Sequence, residues 1–102
     1  MLSTIEEFIR LDLAICMAKT SAARKAAKAE MLSEAYSFGR SIDEQYIMLT
    51  EEGTPLQKEV FATYFVVWAH ALSNAITLSL KGNHKAAQKM LVDLSDSVRF
   101  AE

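Results

Sequence analysis

Few residues in this chain have types that can do chemistry: Asp12, Cys16, His70 and His84, with Asn74 one helical turn beyond His70. His70 lies inside VFATYFVVWAHALSNAITLSL, Val60 to Leu80, which carries no formal charge. An imidazole there would carry protons if an acid such as Asp12 held its other ring nitrogen, so Asp12, His70 and Asn74 form the candidate polar site. Acid–base work also needs a placed partner and a substrate pocket, and the residues show neither. The favoured reading of His70 is a satisfied structural histidine, and His84, at a helix start, is expected to face solvent.

Asp12 is the anomaly, because it falls in the middle of an apolar helix face and a buried carboxylate must be protonated, paired or left at an edge. The expectation is an acid at the core margin, paired with a hydroxyl or with Lys19, seven residues on. The functional alternative is an interfacial charge that selects a partner. Cys16 shares that face, where desolvation disfavours thiolate, so it is read as a core thiol and not a nucleophile.

One cysteine and two histidines, with no E-x-x-H or C-x-x-C pair to set ligands on one face, predict no metal site and no cofactor. Gly39, Gly53 and Gly82 are isolated, so no glycine-rich phosphate loop is expected either. Lys19, Arg24, Lys25 and Lys28 make the one local basic cluster, a candidate phosphate-contacting face that lacks aromatic residues for base stacking. A solvated helix face is the preferred reading.

These residues must be positioned by helices. The 102 residues are 51% apolar and 24% charged, with three glycines and one proline, which fits a single helical domain over residues 1–102 with short loops. Net charge is −2, so no global field recruits nucleic acid or anionic lipid. MLSTIEEF has neither the basic start nor the long apolar run of a signal peptide, and a reducing, cytoplasmic setting is the expectation.

Ser3 and Glu6 have capping-box spacing ahead of a first helix from about Thr4 to Met17, with Ile5, Phe8, Ile9, Ile15 and Cys16 on one face. Thr20 and Ser21 are cap residues for a second, where Met31, Ala35, Phe38, Ile42 and Leu49 hold one seam to about Glu52. Gly39 followed by Ser41 and Glu44 argues for a break, and continuity with a kink is preferred. In EEGTPLQ, Gly53 suits a left-handed helix end, Thr54 an N-cap, Pro55 the first turn and Gln57 the box partner. The third helix should end near Lys81, before Gly82 and the cap residue Asn83. Ala87, Leu91, Leu94 and Val98 then line a fourth.

The hairpin around KGNHKAA resembles the turn between the helices of a tetratricopeptide repeat, with Ala75 and Ala87 where that motif takes small residues. Asn74 stands where leucine is usual, the closing proline is absent and no second copy occurs. The resemblance implies antiparallel packing of these two helices and nothing more.

Twenty-one helical residues span about 31 Å, enough to cross a bilayer. Arrangement argues otherwise: Glu59, Thr63, His70, Ser73, Asn74, Thr77 and Lys81 fall in one arc of the wheel, a polar stripe that a lone span would carry into lipid unpartnered. No membrane span is expected. The remaining arc is apolar, which suits a central helix packed on three sides.

The fold class is therefore all-α: an antiparallel bundle of four helices, or five if Gly39 breaks the second, around a long central apolar helix. Tyr36 and Ile47 on the flank of the second helix, and Val92 and Phe100 off the main face of the fourth, are apolar groups outside the seams and are read as partner-binding residues. The functional expectation is a small non-enzymatic interaction protein (regulator, inhibitor or chaperone-like adaptor) with a protein partner or as a homodimer. A nucleic-acid-binding regulator using Lys19–Lys28, and a small enzyme using His70 and Asp12, are the alternatives.

Overall fold

The computed structural model describes the backbone of residues 2–101 and the side chains of residues 2–99, and every regular element among them is helical. In chain order these are α1 (Leu2–Cys16), α2 (Ser21–Glu52), α3 (Pro55–Leu80, with a π-helical turn at Phe61–Phe65) and α4 (His84–Ala101). The expected all-α fold is thus what the chain forms, with four helices.

α2 runs through Gly39 without a break; its 32 residues reach about 48 Å at 1.5 Å each and so fill the 50 Å long axis of the molecule. The Ser41–Glu44 capping box does not form. Glu44 instead lies 3.8 Å from Arg40 one turn back, both exposed.

Helix ends follow local chemistry. The Thr20 hydroxyl accepts from the Ala23 N–H at 3.0 Å, capping α2. Thr54 and Gln57 form the complete capping box, at 3.2 Å to Thr54 Oγ1 and 2.9 Å to Gln57 Oε1, with Pro55 in the first turn. α3 closes in a full Schellman motif: Gly82 takes φ +88°, its N–H donates to Ser79 O, and the Asn83 N–H donates to Leu78 O.

Two expected caps differ. Ser3 lies inside α1, so it cannot cap it, and Glu6 faces Arg99 at 3.7 Å. Gly53 is extended (φ −76°) rather than left-handed; what requires glycine there is space, because a Cβ would stand 2.4 Å from the Leu49 carbonyl oxygen that accepts the Gly53 N–H.

Burial divides the molecule lengthwise. α1 and α4 are about half the length of α2, and they cover the first half of α2 and the second half of α3. Ile5, Phe8, Leu11 and Ile15 from α1 meet Ala27 and Met31 from α2, Leu72, Ala75 and Ile76 from α3, and Leu91, Leu94 and Val98 from α4. Ala75 and Ala87 are fully buried, as close antiparallel packing of α3 on α4 requires. Packing α3 on three sides, as the sequence suggests, therefore holds only for its C-terminal half.

Beyond this body, Ser37–Glu52 of α2 and the first turns of α3 project as a two-helix arm about 24 Å long, by helical rise. Within it the Val66 N–H reaches back five residues to Phe61 O, the one feature of α3 that spacing did not announce. Phe61 is the arm's buried residue, stacked on Phe65 at 5.5 Å and near Tyr46 at 6.3 Å.

α3 is long and apolar enough to cross a membrane by length and composition, with a mean hydropathy of 1.3 over its best window. Glu59, Thr63, His70, Ser73, Asn74, Thr77 and Lys81 are all exposed, so the polar stripe is the outer face of this helix. Arg10 ties α1 to α2, its guanidinium contacting Glu7 at 2.5 Å and Glu30 at 2.8 Å. Hydrogen bonding from Arg10 holds the Glu7 carboxyl below its usual range.

Candidate functional site

Asp12 is wholly buried, deeper than an acid at a core margin, and its charge is met from α4 rather than by a hydroxyl or Lys19. His84 Nδ1 lies 2.7 Å from Oδ1, and the Gln88 amide donates to Oδ2 at 2.5 Å. A carboxylate only accepts, so Nδ1 carries the hydrogen, on a side chain 21% exposed. The same Gln88 amide sits 3.4 Å from the Ile9 carbonyl oxygen.

Helical geometry explains the cluster. His84 and Gln88 are one turn apart at the start of α4, flanking the buried Ala87, and both turn toward α1. The N-terminus of α4 adds its own partial positive charge near the carboxylate. Both Asp12 oxygens have partners, so the cluster is closed: it holds α1 to α4.

The juxtaposition of Asp12 with His70 that the enzyme alternative needs does not occur, since His70 and Asn74 lie on the exposed stripe of α3 while the Asp12 carboxylate is occupied by His84 and Gln88. His84, assigned to solvent on sequence, is the true partner. An acid on an apolar face needs donors, and His84 with Gln88 supplies two from one helix face, as His70 with Asn74 would by the same spacing. Cys16 is also displaced from its expected place, being exposed while Ile15 takes the buried position.

The basic residues Lys19, Arg24 and Lys25 are exposed and Lys28 is half-buried, at the end of the molecule opposite the arm. Arg24 donates to the Ala18 carbonyl oxygen at 3.3 Å, so part of this cluster finishes the α1–α2 corner. Among the described residues no group of three His, Cys, Asp or Glu side chains is placed to hold a metal ion.

The larger open surface is the arm. A groove of about 400 Å3 between its helices is lined by Met48, Leu49, Leu56, Val60, Phe61 and Phe65. Leu56 is 69% exposed, Val67 60% and Tyr64 50%, and along α3 the series Leu56, Val60, Tyr64, Val67 steps by four, four and three residues. Aromatic contacts of Trp68 with Tyr64 and Phe65, both at 5.9 Å, carry the stripe to the arm's root. Tyr46 and Val66 open on a second groove, of about 360 Å3.

Of the residues expected to bind a partner, Tyr36 and Ile47 are exposed on α2 and Val92 is exposed on α4; the Phe100 side chain lies outside the described residues. Ile47 is on the arm, but the groove residues between the helices, which the search for off-seam apolar groups passed over, form the continuous surface. Leu49 belongs to the expected α2 seam and Phe61 and Phe65 to the expected apolar arc of α3, whereas Met48, Leu56 and Val60 fall in no expected seam. No protein-family model, curated protein or solved structure matches the chain.

Proposed function

We propose that the chain is a non-enzymatic protein-interaction module, a regulator, inhibitor or chaperone-like adaptor, that docks a protein along the apolar face of its arm. One observation carries this reading: α2 and α3 extend past α1 and α4, and on that extension Met48, Leu56, Val60, Tyr64 and Val67 stand largely exposed. Contiguous open apolar surface with polar flanks is characteristic of interaction sites. The closed Asp12–His84–Gln88 cluster supports a structural role for the chain's acid and histidine. The exposed polar stripe of α3 supports a helix bathed in water rather than lipid, in a cytoplasmic setting.

The test is co-purification from source-cell lysate at low and high salt, with the unmodified chain, an arm variant (Leu56→Glu with Val67→Glu) and a basic-face variant (Lys25→Glu with Lys28→Glu). Apolar docking keeps its protein partner at high salt, loses it in the arm variant and keeps it in the basic-face variant. Recovery of nucleic acid that vanishes at high salt and in the basic-face variant would refute the reading.

A further inference from the structure

We propose that the occupant of the arm is a second copy of this chain, paired arm to arm in antiparallel fashion across a two-fold axis. The proposal rests on the arm being the recognition surface and names what fills it.

Geometry supplies the first reason. In the body, α2 and α3 are covered by a pair of helices, α1 and α4, that complete a four-helix cross-section. The arm is the same helix pair with that cover missing. A second arm is itself a pair of helices with an apolar face of equal length, so two arms laid together complete the cross-section and make one bundle running from body to body.

Area supplies the second. Met48, Leu56, Val60, Tyr64 and Val67 are between about two-fifths and two-thirds exposed. At roughly 200 Å2 for a large side chain, they leave about 550 Å2 open on one face. The half-buried Leu49, Phe65 and Trp68 raise this toward the ~800 Å2 per partner of a standard specific interface. A symmetric dimer uses the same patch on both copies, so one open face is sufficient.

Charge fixes the direction. Glu51 and Glu52 are exposed at the arm's tip, and at its root the exposed arginines already have acidic partners, Arg40 with Glu44 at 3.8 Å and Arg99 with Glu6 at 3.7 Å. Antiparallel arms keep the acidic tips of the two copies apart, each lying against the other copy's root. Parallel arms would stack Glu51 and Glu52 on their own copies, which like charges oppose.

The experiment combines light scattering for mass with solution X-ray scattering for length on the full chain. The expected mass is twice 11.4 kDa. The expected maximum dimension is about 75 Å, two rods of 50 Å sharing one arm length of about 24 Å. Leu56→Glu or Val67→Glu, both at exposed positions that leave the body's core untouched, should each weaken self-association about 30-fold or more, while Val92→Glu on the body leaves it unchanged.

A dimer near 50 Å long overturns the antiparallel arrangement, and a dimer broken by Val92→Glu but not by the arm variants moves the interface off the arm. A monomer at high concentration, whose arm still captures a different protein in the salt-resistant assay above, overturns the second-copy proposal and leaves the interaction reading standing. A monomer that captures nothing overturns both.

Discussion

Replacing His84 with alanine tests the structural reading of the polar cluster. The change removes a donor 2.7 Å from a fully buried carboxylate and leaves only the Gln88 amide on it. A hydrogen bond to a charged group contributes about 1.5–3 kcal/mol, and stripping a buried charge of its partner costs about 3–5 kcal/mol. Two features moderate the loss: Gln88 remains, and the imidazole is one-fifth exposed, so water can enter the space it vacates. The expected cost is therefore about 2–3 kcal/mol, from the lower part of those ranges. In a domain of this size that lowers Tm by about 10–20 °C. Urea unfolding followed by helical circular dichroism measures it, with an unchanged m-value showing that the same surface unfolds. A cycle of Asp12→Ala, His84→Ala and the double variant should give a coupling of about 2 kcal/mol. His70→Gln, on the exposed stripe, should stay within about 0.5 kcal/mol of the parent. If His84→Ala also stays within that range, or if His70→Gln is the costlier change, the assignment of the Asp12 partner is wrong.

Other outcomes follow from single groups. Ser79 Oγ is buried without a hydrogen-bond partner, so Ser79→Ala should be neutral or stabilising by about 1 kcal/mol in the same urea titration. Gly39→Ala, mid-helix with open space at its Cβ position, should stabilise by about 0.5–1 kcal/mol, whereas Gly53→Ala should destabilise because its Cβ would meet the Leu49 carbonyl; equal effects would refute the reading of both. By NMR titration the Glu7 carboxyl should ionise below its usual range and return to it in Arg10→Gln. Because the folded value is the depressed one, the Arg10 contribution to stability is present above the unfolded Glu7 pKa and is lost as pH falls through the folded value.

How much was legible in the sequence depended on how local the cause was. Thr20, Thr54–Gln57 and Gly82–Asn83 act over three to five residues, and each works as its spacing indicates. Continuity through Gly39 was legible because the Met31-to-Leu49 seam keeps helical phase across it. Gly53 was found for a different reason than its own: glycine is needed there against Leu49, a contact created by the helix end rather than by a positive φ. The Asp12–His84 pair spans seventy-two residues, and nothing local ranks His84 above His70. The placement of His70 in an apolar run made it look interior, yet α3 turns that residue outward and the α4 start turns His84 in. The extent of the arm was not legible because apolar patterning does not show where a neighbouring helix stops covering it. α1 and α4 are simply too short for α2.

The measurement that bears most directly on the central claim is photo-crosslinking from the arm in the source cell. A photoreactive residue replaces Val67 in one chain and Ser73, on the exposed polar stripe, in another. The arm position should give a discrete protein adduct, of dimer mass if the occupant is a second copy, while the stripe position gives none. Equal labelling at both positions, or adducts from Ser73 alone, would contradict the arm as the recognition surface.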